Sequence, residues 1–185
     1  MWGWSSGNFN NATYIVLDIP ENIADKVKDI RSEYDYTMSL PVEITIAGSS
    51  GLGALQYEQN PHKVFQTLRD ITSGTKPIIT HFDKVRRFNN TDIFFFTLQD
   101  ENPIREIHQQ LVKSNINYSE SSFPFNPHCT LCNNSSLNKV ETDELLSKEI
   151  EEEFIIDALS VYTLDRKSSE DINVNLLKRF QLSGK

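Results

Sequence analysis

The sequence predicts an α+β protein of two similar lobes, each a small, mostly antiparallel sheet backed by helices, packed around a central cleft. Three observations predict it. Segments of strand-like and helix-like hydrophobic period alternate along the chain. Each half reads strand–helix–strand–helix–strand. A short polar motif recurs at matched places, Pro41-Val42-Glu43-Ile44-Thr45-Ile46 in the first half and Asn126-Pro127-His128-Cys129-Thr130-Leu131 in the second. The length of 185 residues, 38% of them apolar, suits one domain with one real core.

Residues 1–12, rich in Gly, Ser and Asn, read as a flexible tail, which leaves 13–185 as the folded domain. Tyr14 to Leu17 is a short β-type run closed by Pro20. Glu21 to Tyr34 is a helix, with Ile23, Val27 and Ile30 recurring at helical spacing. Pro41 to Ala47 is the second strand, followed by the loop Gly48-Ser49-Ser50-Gly51-Leu52-Gly53. His62 to Ile71 places Val64, Phe65, Leu68 and Ile71 on one helical face. Pro77 to Phe88 is a strand, broken by Asn89-Asn90. In the second half, Ile93 to Leu98 is a Phe-rich strand. Pro103 to Lys113 is a helix whose Pro suits the first turn. Pro127 to Cys132 is a strand, Val140 to Ile150 a helix, Phe154 to Leu164 a long strand and Val174 to Leu182 a last one.

Composition excludes several roles. Eighteen basic against 26 acidic residues give a formal charge of −8. A protein that tracks a long phosphate backbone carries a basic stripe, so binding of long nucleic acid is not expected. A pocket for a single phosphate remains compatible. No apolar run reaches the roughly 18 residues of a membrane-spanning helix. The start of the chain has neither the basic nor the apolar region of a secretory signal, and Cys129 and Cys132 are its two cysteines. A cytoplasmic monomer is the expectation.

The two motifs carry the chemistry. On a strand, residues i and i+2 share a face. Glu43 and Thr45 therefore project together, away from Val42, Ile44 and Ile46. His128, Thr130 and Cys132 likewise project together, away from Cys129 and Leu131. Twin lobes place an ionisable group on each side of a cleft. In-line displacement at phosphorus needs that layout, with one group taking a proton and the other giving one. A hydroxyl two residues further on can hold a phosphate oxygen. Such an acid–base residue contributes about 10²–10⁴-fold.

The second motif resembles that of the 2H phosphoesterases, the 2′-5′ RNA ligase or cyclic phosphodiesterase group, whose members carry two His-x-Thr/Ser-x motifs. The resemblance runs from about Tyr14 to Leu182 and takes in the element order, the motif spacing and the aromatic-proline approach Phe123-Pro124-Phe125 to His128. It implies a bilobal fold and metal-free hydrolysis, without a cofactor, of a 2′,3′-cyclic phosphate or 2′-5′ linkage on a small nucleotide or RNA end. It implies catalytic roles for His128 and Thr130, and makes Glu43, with Thr45, the occupant of the other motif's place. With Glu43 where the pattern has His, two outcomes are open. Either Glu43 is the base and His128 the acid, with the Glu43 pKa raised by burial, or hydrolysis is lost and the cleft binds a nucleotide or RNA end.

Other features have plainer readings. Cys129-Thr130-Leu131-Cys132 is a C-x-x-C inside a strand, with no second pair to complete a zinc site. His62 and His108 read as surface residues, and His81 as solvated or near the cleft. The Gly48–Gly53 loop reads as mobile, a possible lid, without the Walker spacing. Lys84, Arg86, Arg87, Arg166 and Lys167 read as solvated basic clusters, and Phe123 and Phe125 as packing residues that could instead stack on a base. Glu149 to Glu153 reads as an acidic helix end.

Overall fold

The computed structural model describes residues 8–34, 41–166 and 172–185. Its chain order is β1 (Ala12–Asp18), α1 (Glu21–Glu33), β2 (Glu43–Gly48), β3 (Leu52–Gly53), α2 (Pro61–Gly74), β4 (Ile78–Thr80), β5 (Phe82–Arg87), β6 (Ile93–Leu98), α3 (Asn102–Val112), β7 (Cys129–Asn133), α4 (Lys139–Leu146), β8 (Phe154–Ile156), β9 (Ala158–Arg166) and β10 (Ile172–Gln181).

These strands form a five-stranded sheet in the order β10-β9-β1-β2-β3, a three-stranded sheet in the order β5-β6-β7, and the pair β4-β8. All pairings are antiparallel except the short β2–β3 contact. The lobes do not coincide with the halves of the chain. The path enters the second sheet through β4 and returns through β8, so that β9 and β10 complete the first sheet beside β1. Two strands that read as continuous in sequence are therefore split, at His81 and at Asp157.

One hydrophobic cluster runs through both lobes. It joins Ile15, Leu17, Ile44 and Ile46 of the first sheet to Phe94, Phe96, Ile104 and Leu131 of the second lobe. The helices pack crosswise: α1, from the first lobe, lies against β7, and α3, from the second, lies against β2. The folded chain begins earlier than residue 13. Phe9 is only 3% exposed, sets its ring edge-on to Phe65 and donates its N–H to the Tyr57 carbonyl at 3.1 Å. Residues 1–7 of the expected tail lie outside the described residues. Among the described residues, no helix is long and apolar enough to cross a membrane.

The two motif strands carry the same irregularity. Along β1–β2, consecutive residues Ile15 and Val16 face Ala47 and Thr45, so Ile46 is an extra residue. Along β6–β7, Phe94 and Phe95 face Cys132 and Thr130, so Leu131 is extra. A β-bulge thus follows the Thr of each motif, and it turns two successive side chains inward. Ile46 and Ala47 are fully buried, as are Leu131 and Cys132. This corrects the expectation that Cys132 projects with His128 and Thr130: the bulge resets the alternation and sends it into the core.

Candidate active site

The first motif opens β2. Val42, Ile44 and Ile46 pack inward, leaving Glu43 and Thr45 on the opposite face with Tyr14, Val16 and Tyr162, which form a small cluster of their own. The Thr45 hydroxyl lies beside the Glu43 carboxyl and favours its charged form. The other carboxyl oxygen, Oε2, is sealed from solvent with no hydrogen-bond partner among the described residues. Burial, and then the carboxylate of Asp18, push the Glu43 pKa up to about 8; Arg31 and Thr45 pull the other way. Its surroundings thus favour the neutral, protonated carboxyl at pH 7.

His128 sits one residue before β7. Its Nδ1 lies 2.6 Å from the Asn126 carbonyl. A carbonyl only accepts, so Nδ1 carries the hydrogen, and in the neutral ring Nε2 is left as the acceptor. The ring stands edge-on to Phe88 and Phe95, at centroid distances of 5.1 and 5.2 Å. Burial holds its pKa below the usual imidazole range, and the bond to Asn126 offsets part of that effect. Thr130, partly buried, is the cross-strand partner of Phe95.

The motif strands meet. β2 lies against β7, with Glu43 close enough to Cys129 for its charge and backbone to act on that thiol. Residue 43 thus neighbours Cys129, the residue that follows His128. Arg31, 5% exposed on α1, spans the junction: its Nη2 donates to the Thr130 carbonyl at 2.7 Å, and its charge acts on Glu43. Beside Glu43, Asp18 Oδ2 accepts from Ser160 Oγ at 2.6 Å and from Arg179 Nε at 2.9 Å. A recess of about 560 Å³ opens beside Asp18 and Arg179, lined also by Pro20, Lys28, Pro41 and Tyr162; Glu43, Thr45, His128 and Thr130 do not line it.

Sequence reasoning singled out both motifs, with Asn126 quoted in the second but given no role, and did not single out Asp18, Arg31, Ser160, Tyr162 or Arg179. Arg31 left a signal, a charge four places after Val27 on the apolar stripe of α1. Asp18 and Arg179 left none, because their place depends on strand register.

Several side readings change. The Gly48–Gly53 loop is bonded across the lobes: Gly51 N–H donates to the Phe123 carbonyl at 2.8 Å and Gly53 N–H to the Ser119 carbonyl at 3.2 Å. His108 is no surface residue; it lies flat on Phe125 with ring centroids 3.8 Å apart, and its Nε2 is buried. Phe123, in contrast, is 69% exposed. Arg87 pairs with Asp92, Lys167 lies outside the described residues, and Glu149 to Glu153 follow the end of α4. Both cysteines are buried thiols, pushed up to about 12 for Cys129 and about 11 for Cys132, a poor setting for redox chemistry.

A mixed five-stranded sheet and an antiparallel three-stranded sheet, with crosswise helices and one motif strand in each, have the architecture of the 2H phosphoesterase class of fold. Residues 19–168 match the model of the 2′-5′ RNA ligase superfamily, and the chain belongs to that family. Similar solved structures include TT0787 of Thermus thermophilus, with a TM-score of 0.66 at 13% identity, covering 94% of this chain and 99% of that one. Escherichia coli LigT complexed with 3′-AMP gives 0.64 at 13% identity, covering 96% and 99%. The same protein complexed with NADP⁺ gives 0.63 at 13% identity, covering 97% and 99%. No curated protein matches the sequence significantly.

Proposed function

We propose that the protein is a phosphoesterase that hydrolyses a 2′,3′-cyclic phosphate or 2′-5′ linkage on a small nucleotide or RNA end, with His128 as general base and Glu43 as general acid. The observation that carries this reading is the opposite tuning of the two motif groups across one β2/β7 junction. His128 offers an unprotonated Nε2, oriented by Asn126, to an attacking water. Glu43 keeps its proton up to about pH 8 and gives it to the departing ribose oxygen. These roles are the reverse of those expected from sequence. Pairs of titratable groups pushed apart by their surroundings mark acid and base in this way.

The protonated state of Glu43 also answers the charge problem of a Glu in this place. An ionised carboxylate ~4 Å from a phosphate oxygen costs about 4 kcal/mol at an effective dielectric near 20; a neutral carboxyl avoids that repulsion and can donate a hydrogen bond. Thr45 and Thr130 hold non-bridging oxygens. In this scheme two side chains make both proton transfers, and no metal is required. The complexes of LigT with 3′-AMP and NADP⁺ support a small nucleotide as the ligand class.

The test is incubation with 2′,3′-cyclic nucleotides in EDTA. A single monophosphate isomer is expected, from a bell-shaped pH profile. Its acid limb lies below the usual imidazole range and its alkaline limb near 8. Glu43→Gln and His128→Ala should each lower kcat by about 10²–10⁴. Saturable nucleotide binding without turnover in the wild type would replace this reading with that of a binding protein.

A further inference from the structure

The register of the first sheet sets a second carboxyl directly beside Glu43. Asp18 is its cross-strand partner in the β1–β2 ladder. Side chains so paired have Cβ atoms about 4.5–5.5 Å apart on one face of the sheet. The two acids are not equivalent. Burial, and more weakly Asp157, raise the Asp18 pKa, but Asp18 is bonded by Ser160 Oγ and Arg179 Nε, which pull it back down, and Arg179 Nε also reaches Ser160 Oγ at 3.2 Å. Glu43 has no cation bonded to its carboxyl among the described residues, and its Oε2 is buried and unpartnered. One site with two acids and one directly bonded cation favours a single negative charge, placed where the cation is.

We propose that Asp18 is a positioning residue: with its charge anchored by Arg179 and Ser160, it keeps the proton on Glu43 and so makes Glu43 the proton donor of the site. This rests on the functional reading given above. The other groups facing Glu43 fit. From β1 comes Tyr14, from β9 Tyr162 and from β7 Cys129, each held neutral by burial. From α1 comes Arg31, whose charge opposes the effect, and from β2 itself the Thr45 hydroxyl. The arrangement also leaves Asp18, Arg179 and Glu43 with no net charge between them, since Asp18 and Arg179 cancel and Glu43 is neutral. A phosphate then approaches without repulsion.

The experiment is a carboxyl titration by NMR on the intact protein labelled with ¹³C at Glu side-chain carboxyls, with the Glu43 signal assigned by its loss in Glu43→Gln. The wild-type midpoint is expected near 8. In Asp18→Asn it should fall by about one to two pH units, and the alkaline limb of cyclic-nucleotide hydrolysis should fall with it. Arg179→Met, at a half-exposed side chain, should move the midpoint the opposite way, because the charged form of the pair loses its cation. A general loosening of the sheet would shift both variants alike. A Glu43 midpoint unmoved in Asp18→Asn, or moved the same way in both, overturns the proposal. Opposite shifts in a protein that hydrolyses no cyclic nucleotide uphold it and overturn the functional reading alone.

Discussion

Glu43 binds a proton that its unfolded counterpart would release, and this ties stability to pH. Its folded pKa, about 8, stands above the ordinary value of 4.5. Between those values the native state holds more protons than the unfolded state, so stability falls as pH rises. The contribution is complete below about 4.5 and is lost as pH passes through 8. Glu43→Gln cannot ionise and should be free of this slope. From pH 6 to pH 9 the wild type should lose a few kcal/mol more than the variant, measured by urea unfolding at both values. Equal losses would show that Glu43 does not ionise differently in the two states. The residues of this site were legible where period-two alternation alone places a side chain, as for Glu43, Thr45, His128 and Thr130. Asp18 and Arg179 lie 25 positions before and 136 positions after Glu43 in sequence. Only the pairing of β1 with β2 and β9, and of β9 with β10, makes them neighbours, and register is not written in any one strand by itself.

At the scale of elements, the Gly-rich loop shows the same limit. Its composition announces irregular backbone, but its partners, Ser119, Ser121, Phe123 and Asn126, come from the other lobe. Gly51 has φ +69°, and a Cβ there would stand 2.5 Å from His108 Nε2 and 2.6 Å from Phe125 Cβ. Gly51→Ala should therefore destabilise the protein by about 1–3 kcal/mol, combining left-handed strain with a clash in a stacked pair. A thermal melt indistinguishable from wild type would mean that the loop does not hold this conformation in solution. Helices are legible because their apolar stripes are local. The strand breaks at His81 and Asp157 are not, because a continuous β-type composition gives no sign that the chain is passing from one sheet to another.

At the scale of the whole molecule, Arg31 is the joint between lobes. It lies on a first-lobe helix and donates to a second-lobe carbonyl beside the motif. Arg31→Met leaves the Thr130 carbonyl without that donor, which should cost about 1–3 kcal/mol. Hydrogen exchange should locate the loss in β7, whose amides are expected to open well before those of β9. Uniform loosening of both sheets would argue instead for a general packing defect. The two-lobe architecture was legible because the motif repeats; the crosswise packing of α1 on β7 and α3 on β2 was not, since a helix's sequence shows which face is apolar but not which sheet receives it.

The return of β9 and β10 to the first sheet has a consequence for biosynthesis. During translation residues 12–48 leave the ribosome early, yet β1 must wait for residues 158–166 before its second edge is covered. The nascent chain therefore carries an open, strongly apolar edge strand while the second lobe is being made, and this interval is when chaperone capture or misassembly has its opportunity.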